Sequence, residues 1–272
     1  MAFDLDGKVA VVTGAGSGIG RETALACARR GAALAICDVD EAGLAETAGR
    51  ARSGGVEVME ERVDVSRPEQ VDAFALQAES RFNGIDLLVN NAGIGVMASF
   101  EDTELEDWRR LLEINLMGVV HGCRAFVPEM KRRGAGHVVN VASQAGFQAS
   151  PALPAYSASK FAVFGFSEAL RAELRPAGIG VTIACPGVVN TAITRSSTVR
   201  GSGSAERQER ITRLYERRNY GPEKVAERIL RAVERNRTVA PITPEAHIAY
   251  ALSRALPPLS RWTAARLAGL TG

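Results

Sequence analysis

The sequence predicts a doubly wound α/β domain: a mostly parallel, seven-stranded sheet with helices on both faces. Short β-branched apolar runs alternate with longer amphipathic segments from Lys8 onward, the pattern of repeated βαβ units. A glycine-rich turn joins the first such run to the first amphipathic segment. The 272 residues contain no linker-like stretch, so residues 1–272 are expected to fold as one domain.

The strand candidates, in order, are Lys8–Thr13, Ala32–Cys37, Val56–Glu61, Asp86–Asn90, His137–Val141 and Ile179–Ala184, with a shorter seventh at Thr238–Ala240. Between them the 3.6-residue apolar period predicts helices near Gly18–Arg30, Glu41–Arg52, Pro68–Arg81, Leu105–Arg133, Ala155–Arg175 and Pro222–Arg235. Right-handed crossovers place these helices on both faces of the sheet. Residues 195–218 break the rhythm with Ser, Thr and Gly, then an arginine-rich stretch containing Arg207, Arg210, Arg213, Arg217 and Arg218. They read as a mobile substrate loop and short helix. Residues 244–272 read as a helical extension: a helix through Leu256, then Pro257-Pro258, then an amphipathic tail with Leu259, Trp262, Leu267 and Leu270.

Composition narrows the function classes. A net charge of +2, from 33 basic and 31 acidic side chains, supplies no field that would gather nucleic acid. No uncharged apolar run approaches the roughly 20 residues a membrane-spanning helix needs, so no integral membrane association is expected. Cys27, Cys37, Cys123 and Cys185 are widely spaced in apolar stretches without metal-ligand spacing; they read as buried thiols, with no metal site. Without a signal-like N-terminus, the expected compartment is cytoplasmic.

Chemistry enters at Gly14-Ala15-Gly16-Ser17-Gly18-Ile19-Gly20, between strand and helix. A pyrophosphate can approach the unpaired backbone N–H groups of a helix N-terminus only where no Cβ stands in the way. The turn therefore reads as a Rossmann-type dinucleotide site. Asp38, eighteen residues beyond Gly20 at the end of the second strand candidate, is placed to accept hydrogen bonds from an adenosine ribose and to repel a 2′-phosphate. Neither Ser17 nor Val39 offers a basic group, although Arg21 and Arg29 are near in sequence, so NAD is expected and NADP is the less favoured cofactor.

Tyr156 and Lys160 stand four residues apart in a helical stretch and so share a face. A free phenol, with a pKa of about 10, is a poor base at neutral pH; an adjacent ammonium and an oxidised nicotinamide both favour its phenolate. Ser143 follows the strand His137–Val141 at the carboxyl edge, where open α/β sheets bind ligands, and its hydroxyl can hold a carbonyl or alcohol oxygen.

Over residues 5–190 the chain closely resembles the short-chain dehydrogenase/reductase family. Thr13 to Gly20 resembles its TGxxxGxG motif, Asn90-Asn91-Ala92-Gly93 its NNAG element beside the cofactor, and Asp64-Val65 its adenine-ring contact. Ser143, Tyr156 and Lys160 have the spacing of its catalytic serine and YxxxK pair. Asn115, within Ile114-Asn115-Leu116, resembles its fourth catalytic member, and Pro186-Gly187 with Val189 and Thr191 its nicotinamide loop. The resemblance implies that Tyr156 exchanges the substrate proton, Ser143 positions the oxygen, and Lys160 holds the nicotinamide ribose while lowering the tyrosine pKa. Asn115 would anchor a water relay through the backbone carbonyl of a distorted helix.

The expected reaction is hydride transfer between NAD(H) and a secondary alcohol or ketone. The stretches after Gly93, around Gln144–Pro154 and between Val188 and Arg218 are expected to close the substrate pocket, and Ile94, Val96, Met97, Phe147, Leu153, Val188 and Ile193 within them suggest an apolar lining and a lipophilic substrate. The tail could cover the pocket, join an oligomer interface or touch lipid, and the family implies a homotetramer or homodimer. Alternatives are an NADPH-dependent reductase of acyl-carrier or small carbonyl substrates, a non-catalytic NAD sensor, and an interaction module on an inactive scaffold.

Overall fold

The computed structural model describes residues 3–190, 197–201, 204–218 and 220–269. Its strands are β1 (Val9–Thr13), β2 (Ala33–Asp38), β3 (Val58–Arg62), β4 (Leu87–Asn90), β5 (Val96–Met97), β6 (Gly136–Val141), β7 (Ile179–Cys185), β8 (Thr198–Val199) and β9 (Val239–Pro241). Its α-helices are α1 (Gly18–Ala28), α2 (Glu41–Ser53), α3 (Pro68–Phe82), α4 (Leu105–Leu112), α5 (Gly118–Arg133), α6 (Pro154–Leu174), α7 (Ser204–Arg218), α8 (Pro222–Glu234), α9 (Pro244–Ala255) and α10 (Pro257–Gly269).

Seven strands form one sheet in the order β3-β2-β1-β4-β6-β7-β9, every pair parallel. The alternation of side chains along each strand divides the core in two. Ala10 and Val12 of β1 pack on one face with α1, α2 and α8, through residues such as Leu25, Leu44 and Ile229. Val9 and Val11 pack on the other with α3, α5 and α6, through Phe74, Phe126 and Phe164. The seventh strand lies one residue beyond the expected Thr238–Ala240, and β3 starts two residues after the expected Val56. The four cysteines are free and buried, and burial pushes the Cys27 and Cys123 thiols up to about 12. Among the described residues no helix is long and apolar enough to cross a membrane.

Two features depart from the sequence reading. The stretch Leu105–Arg133 is not one helix: a π-helical turn, Glu113–Met117, separates α4 from α5, and Gly118 N–H donates to the Glu113 carbonyl five residues back. A two-stranded parallel sheet, β5 with β8, lies apart from the main sheet. Strands of two residues carry no readable period, and none was expected there.

A buried polar chain sets the position of α6. Asn90 Nδ2 donates to Asn140 Oδ1 at 2.9 Å, Asn140 Nδ2 to Ser167 Oγ at 2.9 Å, and Ser167 Oγ to the Val163 carbonyl at 2.6 Å. These bonds give partners to polar groups that would otherwise cost about 1–3 kcal/mol each to bury, with Asn90 Oδ1 left without one among the described residues, and they tie β4, β6 and α6 in one register.

His137, at the start of β6, is also buried. Its Nε2 lies 2.9 Å from Thr182 Oγ1, whose hydroxyl donates to the Arg237 carbonyl at 2.7 Å, so Nε2 carries the hydrogen. Burial, aided by Arg171, pushes the imidazole down from 6.5 to about 3. Between those values the unfolded chain binds a proton that the folded chain excludes, so stability falls as pH drops through that window. The His137→Gln variant is expected to lose about 2 kcal/mol less unfolding free energy than the parent between pH 7 and pH 5. Urea unfolding at the two pH values measures this; equal losses would remove His137 from the acid sensitivity.

Candidate active site

The site is built where the strand order reverses, between β1 and β4, at their carboxyl ends. There the Asn91 and Ala92 N–H groups both donate to Thr13 Oγ1 at 3.1 Å, while Asn91 Nδ2 donates to the Thr13 and Gly14 carbonyls at 3.0 and 3.1 Å. This staple draws the glycine turn against the segment after β4. Gly14 has φ +66°, and a Cβ on it would stand 2.8 Å from Ala92 Cα; a Cβ on Gly20 would collide with the Gly14 carbonyl. Glycine is therefore required at both positions by backbone contact. Ser17 begins α1 without a side-chain cap, and no acidic residue stands in its first turn. The donors and dipole of α1 are left to an anion from outside, so the turn fits a dinucleotide pyrophosphate.

Asp38, at the end of β2, lines the same cavity. Its Oδ2 accepts from Gly16 N–H at 2.7 Å and its Oδ1 from Asp40 N–H at 3.0 Å. Arg21, next to Gly20, is turned to α2 and back onto the turn: it donates to Glu46 at 2.9 Å, to the Gly43 carbonyl at 3.2 Å and to the Gly16 carbonyl. Arg29 pairs with Glu227 at 3.5 Å. Asp64 accepts from Ser66 N–H and Oγ at 3.0 and 2.7 Å, and the Val65 carbonyl lies 2.9 Å from His121 Nδ1, which fixes the loop after β3.

Ser143 follows β6 in extended conformation and its Oγ accepts from Ala145 N–H at 3.1 Å. Tyr156 and Lys160 project from the first turns of α6, with Lys160 Nζ 5.8 Å from the centroid of the Tyr156 ring. Lys160 is 4 % exposed, and Nζ donates to the Val141 carbonyl at 3.0 Å. Burial pushes its ammonium down from 10.5 to about 8. Asn115 stands in the π-helical turn, the helix distortion that the family resemblance implied. Its Oδ1 accepts from Ile94 N–H at 2.8 Å, and its Nδ2 donates to the Ile94 carbonyl at 3.0 Å and to Ser159 Oγ at 3.1 Å. The buried amide thus ties the segment after β4 to the residue preceding Lys160.

One cavity of about 1480 Å³ joins these parts. It is lined by Gly14, Ser17, Gly18 and Ile19; by Asp38, Asp64 and Val65; by Asn91, Ala92 and Gly93; by Ser143, Tyr156 and Lys160; and by Pro186, Gly187 and Val189. Gly20 and Asn115 stand behind its wall, and Thr191 lies outside the described residues. Of the expected apolar lining, Ile94, Val96, Met97, Leu153 and Val188 face the cavity. Phe147 does not: it packs against Phe164 and Tyr250 in edge-to-face contacts. Ile193 lies outside the described residues.

Several lining residues were not singled out in the sequence. Gln144 and Gln148 follow the catalytic-type serine, Arg109 and Arg110 come from α4, and Ala264 and Ala265 from α10. The glutamines fall in the stretch Gln144–Pro154 expected to close the pocket and the alanines in the tail expected to be able to cover it, but nothing in the sequence singles out these residues within their segments. Beyond β8, Arg200 pairs with the buried Asp107 at 2.8 and 3.0 Å and with Glu104 at 3.0 Å, bracing the small sheet against α4. The Asp107 carboxyl is held below the ordinary carboxylate range chiefly by its hydrogen bond to Arg200. The helical part of the 195–218 stretch is α7, and the Arg207, Arg210 and Arg217 side chains lie outside the described residues. After β7, Val188 N–H donates to Glu245 Oε1 at 3.1 Å and Arg218 pairs with Glu245 Oε2, which links α7, the loop after β7 and α9.

Residues 8–200 match the family model for short chain dehydrogenase. The chain is 45% identical over 259 residues to EphD of Mycobacterium tuberculosis, named as an oxidoreductase. That match covers 93% of this chain, and the chain spans less than half of the relative, 44%. A short-chain dehydrogenase/reductase from Burkholderia phymatum, solved in complex with NAD, superposes with a TM-score of 0.87 at 36% identity, covering 95% of this chain and 97% of the other. An alcohol dehydrogenase from Thermococcus sibiricus, complexed with 5-hydroxy-NADP, gives 0.72 at 30% identity, covering 84% and 90%. Solved relatives of this chain therefore bind NAD or NADP nucleotides.

The burial of Lys160 has a thermodynamic signature. Between pH 8 and 10.5 the unfolded chain retains a proton that the folded chain has released, so this group's contribution to stability rises with pH across that window. Below it, the folded protein bears the cost of a buried ammonium. Cofactor-free Lys160→Met is expected to melt at or above the parent temperature at pH 7, with the parent gaining on it toward pH 10. Differential scanning calorimetry decides; a variant clearly less stable at pH 7 would contradict the cost.

Proposed function

The chain belongs to the short-chain dehydrogenase family, and from that premise we propose that it interconverts a lipophilic secondary alcohol and its ketone with NAD(H), Tyr156 acting as the general acid/base. The observation that carries this reading is the shared cavity: Ser143, Tyr156 and Lys160 line the same space as Asp38 and the open N-terminus of α1. When bound, the nicotinamide supplies the hydride acceptor or donor. Gly14, Ser17, Gly18, Ile19 and Gly20 would hold the pyrophosphate, Asp38 the adenosine ribose, and Asp64 and Val65 the adenine. Asn91, Ala92 and Gly93, with Pro186, Gly187, Val189 and Thr191, would hold the nicotinamide end.

Tyr156 Oη takes the alcohol proton in oxidation and returns it in reduction, while Ser143 Oγ donates to the substrate oxygen and fixes its direction. Lys160 would act on both partners, favouring the phenolate through its charge and holding the nicotinamide ribose through its ammonium hydrogens. The carbonyl of Asn115, in the π-helical turn, would hold the water that connects Lys160 to solvent. A carboxylate at Asp38, with Arg21 tied to Glu46 and to the Gly16 and Gly43 carbonyls and Arg29 to Glu227, supports NAD over NADP. Ile94, Val96, Met97, Leu153 and Val188 support an apolar substrate. A second reading, reduction of an acyl thioester on an acidic carrier, draws on Arg109 and Arg110, exposed on α4 and lining the cavity.

The exposed Phe100, Leu105 and Phe161 support a homo-oligomer, dimer or tetramer, and four free buried thiols support a reducing, cytoplasmic setting.

Tyr156→Phe is expected to bind NADH with unchanged affinity while turnover of 2-octanol falls by at least 10²-fold, the usual scale of acid–base catalysis. Retained turnover would sink the mechanism. In the parent, the kcat–pH profile for oxidation should rise well below the phenol value of about 10, and Arg in place of Lys160 should move the rise upward. At matched saturation NAD should outperform NADP, with Asp38→Ser narrowing that preference at least tenfold; an NADP preference in the parent would remove Asp38 as the discriminator.

A further inference from the structure

The cavity does not end at the reacting groups. Besides Ser143 and Tyr156 its lining includes Gln148, Ala149, Ser150, Pro151 and Ala152, and Ala264 and Ala265 of α10. Its volume, about 1480 Å³, exceeds the roughly 300–1,000 Å³ of an ordinary small-molecule pocket, so a second ligand has room beside the dinucleotide.

The helix at that end is fixed to the catalytic loop. Gln144, adjacent to Ser143, donates from Nε2 to Gln148 Oε1 at 2.9 Å. Gln148 Nε2 in turn reaches the Ser260 carbonyl and Oγ at 3.3 Å and Thr263 Oγ1 at 3.4 Å. Ser260 is 4 % exposed, whereas Trp262 on the same helix is 54 % exposed. Residues three and four apart share a helix face, so Ser260, Thr263 and Ala264 form the inward stripe of α10, and all are small. From Gln148 to Ala152 and at Ala264 and Ala265 the lining is uncharged, with Gln148 and Ser150 its polar members. The charged lining residues Glu106, Arg109, Arg110 and Glu113 come from α4 and the π-helical turn, so the wall that α10 completes favours hydrocarbon.

We propose that α10 is the distal wall of the substrate chamber, that its small side chains admit the elongated apolar chain of a secondary alcohol or ketone, and that Ala264 sets the length accepted. Gln148 is a positioning residue: it lines the chamber beside Ala149 and holds α10 in place through Ser260 and Thr263. The inference rests on the reading that the reaction takes place beside Tyr156.

The test is calorimetric titration of 2-butanone and 2-dodecanone onto the NAD-saturated protein, alongside NADH-driven reduction of both. Each methylene taken out of water is worth roughly fourfold in affinity, so the parent is expected to prefer 2-dodecanone by at least 100-fold. Ala264→Trp should cut that preference at least tenfold, and Gln148→Leu should cut it less. Arg261→Ala, on the exposed face of α10, should leave it unchanged. Should Ala264→Trp fail to fold, judged by circular dichroism, Ala265→Trp carries the same expectation. A parent without the preference, or a tryptophan variant that keeps it, overturns the proposal. Preferential binding of the long ketone without its reduction would overturn the redox reading and leave the chamber wall standing.

Discussion

Four hydrogen bonds at one point, from the Asn91 and Ala92 N–H groups to the Thr13 hydroxyl and from the Asn91 amide to the Thr13 and Gly14 carbonyls, hold the two halves of the sheet together where their order reverses. Everything a dinucleotide would touch is arranged around that junction. The glycine turn is pressed so close to the segment after β4 that Gly14 has no space for a side chain, and the same closeness leaves α1 starting with uncapped donors. The crevice is a consequence of topology, since adjacent loops must leave in opposite directions at a switch point; the staple determines how tightly its floor is drawn.

The second constraint is the lysine. A buried ammonium is costly, and among the described residues this one donates to the Val141 carbonyl. A site arranged for stability alone would place an apolar side chain there. The polar chain through Asn90, Asn140 and Ser167 and the bracket that Asn115 makes with Ile94 and Ser159 both act on α6, and both therefore bear on where Lys160 and Tyr156 stand. Much of the buried polar chemistry in this half of the molecule thus serves the position of one helix.

The sequence was informative wherever a residue's role depends on its neighbours along the chain. β-branched runs such as Val9–Thr13 and Ile179–Ala184 could be read as buried parallel strands, and the glycine spacing after β1 as a helix entrance. The four-residue separation of Tyr156 and Lys160 could be read as one face. Features that depend on distant parts of the chain were not legible. The π-helical turn at Asn115 adds one residue to a turn without disturbing the surrounding apolar pattern, so by its period Leu105–Arg133 reads as continuous, and the distortion there was implied by the family resemblance alone. The β5–β8 pairing depends on contacts about a hundred residues apart. Phe147 looks the same in sequence whether it faces a cavity or, as here, Phe164 and Tyr250. Ala264 and Ala265 acquire meaning only when Gln148 brings α10 against the loop after β6.

The two outer strands of the main sheet carry a consequence for behaviour in concentrated solution. An unprotected strand edge is a template for pairing with another chain. β3 presents Glu60, Glu61 and Arg62 in succession, so a second strand laid along it would bring charges into register. β9 is only three residues long and ends on Pro241, whose nitrogen has no hydrogen to offer. Both margins of the sheet are thereby poor seeds for cross-β growth, and the chain can keep a broad, wholly parallel sheet without becoming prone to aggregate through its edges.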